Sequence, residues 1–160
     1  MISRSGIRLS VALVGLGLAL LPATAGADPS DEAPADMRLD PDFVAGKAAI
    51  EAKNWNAAIR SFSAAALREP LNADTQNYLG YAYRHVGRMD LAFKHYERAL
   101  EIEPRHRGAH EYLGEAYLIV DNLAKAEEHL ATLQTICLIP CEEHEDLQKA
   151  VVAYRRRTGR

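Results

Sequence analysis

The sequence predicts an all-α array of helical hairpins, and three observations predict it. Gly46, Gly80 and Gly114 are evenly spaced and carry the same pattern of neighbours with them, at the period of a two-helix repeat. Residues that start and stop helices flank each stretch that this pattern marks out. No segment alternates apolar and polar residues with a period of two, so strands are not expected.

Residues 1–27 read as a secretory signal peptide. Arg4 and Arg8 open it, Leu9 to Leu21 form the apolar stretch, and Ala23-Thr24-Ala25 and Ala25-Gly26-Ala27 are small-residue cleavage patterns. An uncleaved membrane anchor is the alternative, but a spanning helix needs about 20 apolar residues, and this stretch is shorter. Export is therefore expected, to the periplasm in a Gram-negative bacterium, with no stable membrane insertion after cleavage. Residues 28–38, Asp28-Pro29-Ser30-Asp31-Glu32-Ala33-Pro34-Ala35-Asp36 and two more, are acidic, proline-bearing and without an apolar face. They read as a disordered tether, with an acidic docking peptide as the alternative.

The repeats occupy 39–140, as units 39–72, 73–106 and 107–140. At one fixed step after the glycines stand Ala58, Ala92 and Ala126. At a second come Phe62, Tyr96 and Leu130, and at a third Ala65, Ala99 and Leu133. Leu79 and Leu113 precede two of the glycines, with Ala45 before the first. Asp40-Pro41 suits the start of the first helix, and Asn72 with Asp74 suits the start of the second unit. Hairpin turns are expected at Asn54-Trp55-Asn56, Gly87-Arg88-Met89-Asp90 and Asp121-Asn122. Pro70 and Pro104 stop the second helix of their units, because proline lacks an N–H and disfavours helix in the residue before it. The third unit has Leu138 at that position and its proline only at Pro140, so its last helix is expected to run on towards the cysteines.

The middle unit, with Tyr78-Leu79-Gly80-Tyr81-Ala82-Tyr83, Leu91-Ala92, Tyr96, Ala99-Leu100 and Glu103-Pro104, resembles the tetratricopeptide repeat. The resemblance implies a right-handed superhelical array of three such hairpins. Small residues sit where paired helices approach closely, and aromatic residues fill gaps between successive hairpins. It also implies a concave groove, lined by the first helix of each hairpin, that holds a partner's peptide or helix. Carried over by position, the lining is Phe43, Lys47 and Ile50, then Asn77, Tyr81, Arg84 and His85, then Glu111, Glu115 and Leu118. The family's clamp for a C-terminal carboxylate uses paired Asn with several Lys or Arg. Only Lys47, Asn77 and Arg84 are available here, so the resemblance does not extend to that clamp.

Residues 141–160 read as a capping helix, from about Glu142 to Arg156, and a basic tail. Leu147, Ala150, Val151 and Tyr154 recur at helical spacing and would cover the open face of the third hairpin. Acids at its start and Arg155-Arg156-Arg157 at its end complement the helix dipole.

Cys137 and Cys141 are the only cysteines. In an exported chain so close a pair reads most simply as a disulfide. Two alternatives stay open: a thiophilic metal held by Cys137, Cys141 and His144, or a redox-active thiol pair using the repeats as a docking arm. His106 and His110 stand one helical turn apart, but no thiol or carboxylate at a fixed offset completes a metal site.

The function classes narrow accordingly. Formal net charge is −3 for the whole chain, and about −5 once residues 1–27, which hold two Arg and no acid, are removed. Charge of that sign and scatter offers no footprint for nucleic acid. No nucleophile–base arrangement, phosphate-binding loop or isolated acid pair is present, so neither an enzyme nor a cofactor is expected. The expected function is a protein-interaction scaffold or adaptor with a protein partner.

Overall fold

The computed structural model describes residues 40–139 and 141–159. The expected signal peptide, tether and proline stop at Pro140 fall outside the described residues. Among the described residues there are seven α-helices and no strand: α1 (Pro41–Glu51), α2 (Trp55–Arg68), α3 (Ala73–His85), α4 (Met89–Ile102), α5 (Arg107–Ile119), α6 (Leu123–Ile136) and α7 (Glu142–Thr158). No described helix is long and apolar enough to cross a membrane. The helices pair as α1/α2, α3/α4 and α5/α6, and α7 packs across both α5 and α6.

Five of the seven helices begin on a side chain that accepts a backbone N–H, at Asp40, Asn54, Asn72, His106 and Asn122. Asp40 accepts from Asp42 and Phe43, and its carboxylate also pairs with Arg68 at 2.6 Å, tying the start of α1 to the end of α2. Each hairpin turn contains one left-handed residue, Lys53, Gly87 and Asp121, at the same spacing as the repeat glycines. The first turn is therefore centred on Lys53-Asn54. Trp55 and Asn56 already belong to α2, and Met89 and Asp90 to α4, which corrects the expected turn positions. The helix takes these residues because Asn54 and Arg88 stand at the N-cap.

The repeat glycines explain why the helices of a hairpin lie so close. A Cβ on Gly46 would lie 2.7 Å from the Phe62 ring, and one on Gly80 would lie 2.6 Å from the Tyr96 ring. These aromatics thus fill space within their own hairpin, not only between hairpins. The third hairpin differs. The atoms nearest a Cβ on Gly114 belong to Leu147 of α7, at 2.6 Å, and not to Leu130. The capping helix supplies the large side chain that the second helix supplies elsewhere.

Three apolar clusters follow along the array. Phe62, Leu79 and Ala82 centre the first, Tyr96, Leu113 and Ala116 the second, and Leu133, Leu147, Val151 and Tyr154 the third. Ala45, with no earlier hairpin among the described residues to pack on, is exposed, whereas Leu79 and Leu113 at the same repeat position are buried. The expected lengthening of the last repeat helix does not occur. α6 ends at Ile136, the same repeat position as Ile102 at the end of α4. Cys137 leaves helical geometry there (φ −85°, ψ 102°), and its sulfur lies within bonding distance of that of Cys141, Cα atoms 5.9 Å apart. Among the described residues no group of three metal-ligating side chains comes together. His144 borders a shallow cleft with Cys137 and Ile139 instead.

Candidate functional site

The first helices of the hairpins, α1, α3 and α5, share one face, and its centre is aromatic. Tyr81 on α3 lies 4.9 Å from Tyr112 on α5, ring to ring, and 6.0 Å from Trp55 at the start of α2. His85, one helical turn beyond Tyr81, stacks on Trp55 at 4.0 Å with the planes 9° apart. The Arg84 guanidinium lies 5.3 Å from the Tyr81 ring and 5.7 Å from that of Tyr112, and binds Glu115 at 2.8 Å. α3 and α5 are joined by this mostly buried ion pair between two aromatic rings.

Towards α1 the face changes character. Lys47 donates from Nζ to the Tyr78 hydroxyl at 2.7 Å, with Nζ 4.1 Å from that ring's centre. Phe43 packs edge-on against Phe62 and Tyr78, and Ile50 joins the same cluster. Leu118, expected to line the groove, is only 8% exposed, because α7 lies over it. Leu118 still borders a pocket of about 240 Å³ with Arg84 and Glu115, whose far wall α7 supplies through Ala150 and Tyr154.

Between α3, α5 and the start of α7 lies a recess of about 300 Å³. Asn77, Gly108, Glu111, Glu143 and Asp146 are among its walls. Glu111 is half-buried, and its carboxyl is pushed up to about 8. Burial is the main cause, and the neighbouring Glu115, Asp146 and Glu143 carboxylates add to it against the opposing pull of Arg84. Asp74 at the rim is held below the usual carboxylate range by its hydrogen bond with His106 at 3.1 Å.

His106 and His110 do not share a ligand position. His106 caps α5 through Nδ1, which accepts from the Ala109 N–H. His110 turns the other way, its Nε2 donating to the Pro104 carbonyl at 3.1 Å and its Nδ1 meeting His129 Nδ1 at 2.9 Å. Burial holds His110 and His129 below the ordinary histidine range, His129 at about 4.

The family model for the tetratricopeptide repeat matches residues 43–104. Residues 43–104 are tetratricopeptide repeats, and the described residues have the tetratricopeptide-repeat fold. No curated protein sequence matches it. Solved structures share its fold at low identity. The type III secretion translocator chaperone SycD of Yersinia enterocolitica superposes with a TM-score of 0.68 at 18% identity, covering 82% of this chain and 92% of that one. SycD solved with a peptide of the translocator YopD gives 0.64 at 18%, covering 73% and 92%. The TPR2B domain of yeast Sti1, in a complex with pHsp70, gives 0.67 at 17%, covering 72% and 94%.

Within this repeat array, Tyr81, Arg84, His85, Glu111 and Glu115 come together on one face, with Lys47 and Asn77 beside them. Phe43, Ile50 and Leu118 are engaged in packing. Three contributors were not read from the sequence: Trp55, Tyr112 and the acids of α7. Tyr112 carried a signal, since it holds in the third unit the position that Tyr78, another ring on this face, holds in the second. The α7 acids carried none, because their position depends on how the capping helix crosses α5.

Proposed function

We propose that this tetratricopeptide-repeat protein is an exported, non-catalytic scaffold that holds a segment of a partner protein against the face of α1, α3 and α5. The observation that carries the reading is the aromatic and charged centre of that face. Tyr81, Arg84 and Tyr112 are of the residue types that dominate binding energy at protein interfaces, and they are preorganised by mutual packing. The same fold holds a YopD peptide in SycD and forms a pHsp70 complex in Sti1. Export rests on Arg4, Arg8, the apolar stretch Leu9 to Leu21 and the Ala-rich cleavage patterns, and in a Gram-negative cell the working protein is then periplasmic. In that compartment Cys137 and Cys141 form a disulfide that pins the joint between α6 and α7.

Photo-crosslinking in the native host tests the reading. A benzophenone amino acid at Tyr81, on the proposed face, yields discrete adducts with a partner protein. The same group at Lys94, exposed on α4, yields none. Adducts from Lys94 alone, or equally from both positions, count against the face. Mass measurement of the protein recovered from the cell envelope tests export, with a chain beginning at residue 26 or 28 as the expected result.

A further inference from the structure

We propose that His110 on α5 and His129 on α6 form an acid-sensitive latch, which holds the third hairpin closed while the two rings share no more than one added proton. The latch stands independently of the partner reading. Its consequence for that reading is that acid loosens α5, which carries Tyr112 and Glu115 of the proposed face.

The geometry fixes where the hydrogens sit. His110 is only 7% exposed, and its Nε2 donates to the Pro104 carbonyl at 3.1 Å. The other nitrogen of a neutral imidazole is then an acceptor, so Nδ1 of His110 offers a lone pair. It faces Nδ1 of His129 at 2.9 Å, and that nitrogen must carry the hydrogen. One hydrogen fills the space between the two rings. A single added proton, on either ring, still leaves one N–H pointing at one lone pair. A second puts an N–H on both nitrogens, and two imidazolium cations meet where a hydrogen bond stood.

The second hairpin carries the same constellation with one member exchanged. Gln76 and His95 hold the repeat positions of His110 and His129, and His95 Nδ1 donates to Gln76 Oε1 at 2.8 Å. Tyr83 stacks on His95 as Tyr117 stacks on His129, with planes 8° and 16° apart. An amide oxygen accepts from His95 whether that ring is neutral or charged. The second hairpin therefore keeps its bond in acid. The third loses its own, because an imidazole stands where the amide stands.

The surroundings oppose the second proton. Burial is the largest influence and holds both rings below the ordinary histidine range, His129 at about 4. At His110 the Pro104 carbonyl favours charge and His106, at the α5 N-cap, opposes it. At His129 charge on His110 opposes a proton, Glu128 favours it and Lys125 opposes it. The unfolded chain takes up protons at these rings from about pH 6.5 downward, whereas the folded chain resists. The stability that the latch supplies is thus present above that pH and is lost as pH falls towards 4.

Amide hydrogen exchange of the purified protein at pH 7 and pH 4.5, corrected for intrinsic rates, tests this. At pH 4.5 protection in α5 and α6 is expected to fall at least about tenfold further than in α3 and α4. In His110→Gln, which copies Gln76, the extra fall should disappear. Equal loss in both hairpins, or the same extra loss in His110→Gln, overturns the latch. Should the variant not fold at pH 7, the imidazole nitrogen shifts of the wild type decide by nuclear magnetic resonance. The expected result is a hydrogen on Nδ1 of His129 at pH 7 and two well-separated titration steps shared by the rings. Two independent titrations near the ordinary histidine value overturn it.

Discussion

The carboxyl of Glu111 makes this fold less stable as pH rises, and the size of the effect can be worked out. The group titrates near 4.5 when solvated and is raised to about 8 in the folded protein. Between those values the folded chain binds a proton that the unfolded chain has released. Stability is thus fully present below about pH 4.5 and is lost as pH rises through 8. Full burial would make the shift worth about 5 kcal/mol at 1.36 kcal/mol per unit. The carboxyl is only half-buried, so water screens it and about 1–2 kcal/mol is the realistic scale. Glutamine at this position cannot ionise and escapes the loss. Urea unfolding followed by far-ultraviolet circular dichroism should show Glu111→Gln gaining about 1–2 kcal/mol on wild type between about pH 5 and pH 8.5. A difference independent of pH, or one that grows in favour of wild type, would refute the placement of Glu111 among uncompensated acids.

Other perturbations probe the packing. Gly80→Ala drives a methyl into the fully buried Tyr96 ring, so it should cost about 1–3 kcal/mol in chemical denaturation, although alanine favours helix. Leu147→Ala should cost about 2–5 kcal/mol and loosen α7, seen as faster amide exchange in α5 as well as α7, because Leu147 fills the space over Gly114. Lys53→Gly should raise stability by roughly 0.5–1 kcal/mol, since Lys53 is an exposed non-glycine residue at φ 53°; a drop would show that its side chain does more than occupy the turn. Replacing Cys137 and Cys141 by serine should lower stability by about 2 kcal/mol under oxidising conditions and leave it unchanged relative to the reduced wild type.

The hairpins were legible because each is written in a local code repeated three times. Gly46, Gly80 and Gly114 mark the close helix contacts, Asn54, Asn72 and Asn122 mark helix starts, and Ala58, Ala92 and Ala126 are fully buried at one spacing. What escaped was non-local. The third repeat has Leu130 where Phe62 and Tyr96 stand, and position alone assigned it their role. The place over Gly114 is taken by Leu147 on α7, beyond the third hairpin, because α7 crosses back over α5. That crossing also covers Leu118 and brings Glu143 and Asp146 opposite Glu111, so the shape of the groove and the charge of its recess both depend on the capping helix. A groove read from the repeat pattern extends along α5 without interruption. The observed one ends in an acidic wall that α7 helps to build, and the partner's chemistry is therefore set as much by the cap as by the repeats.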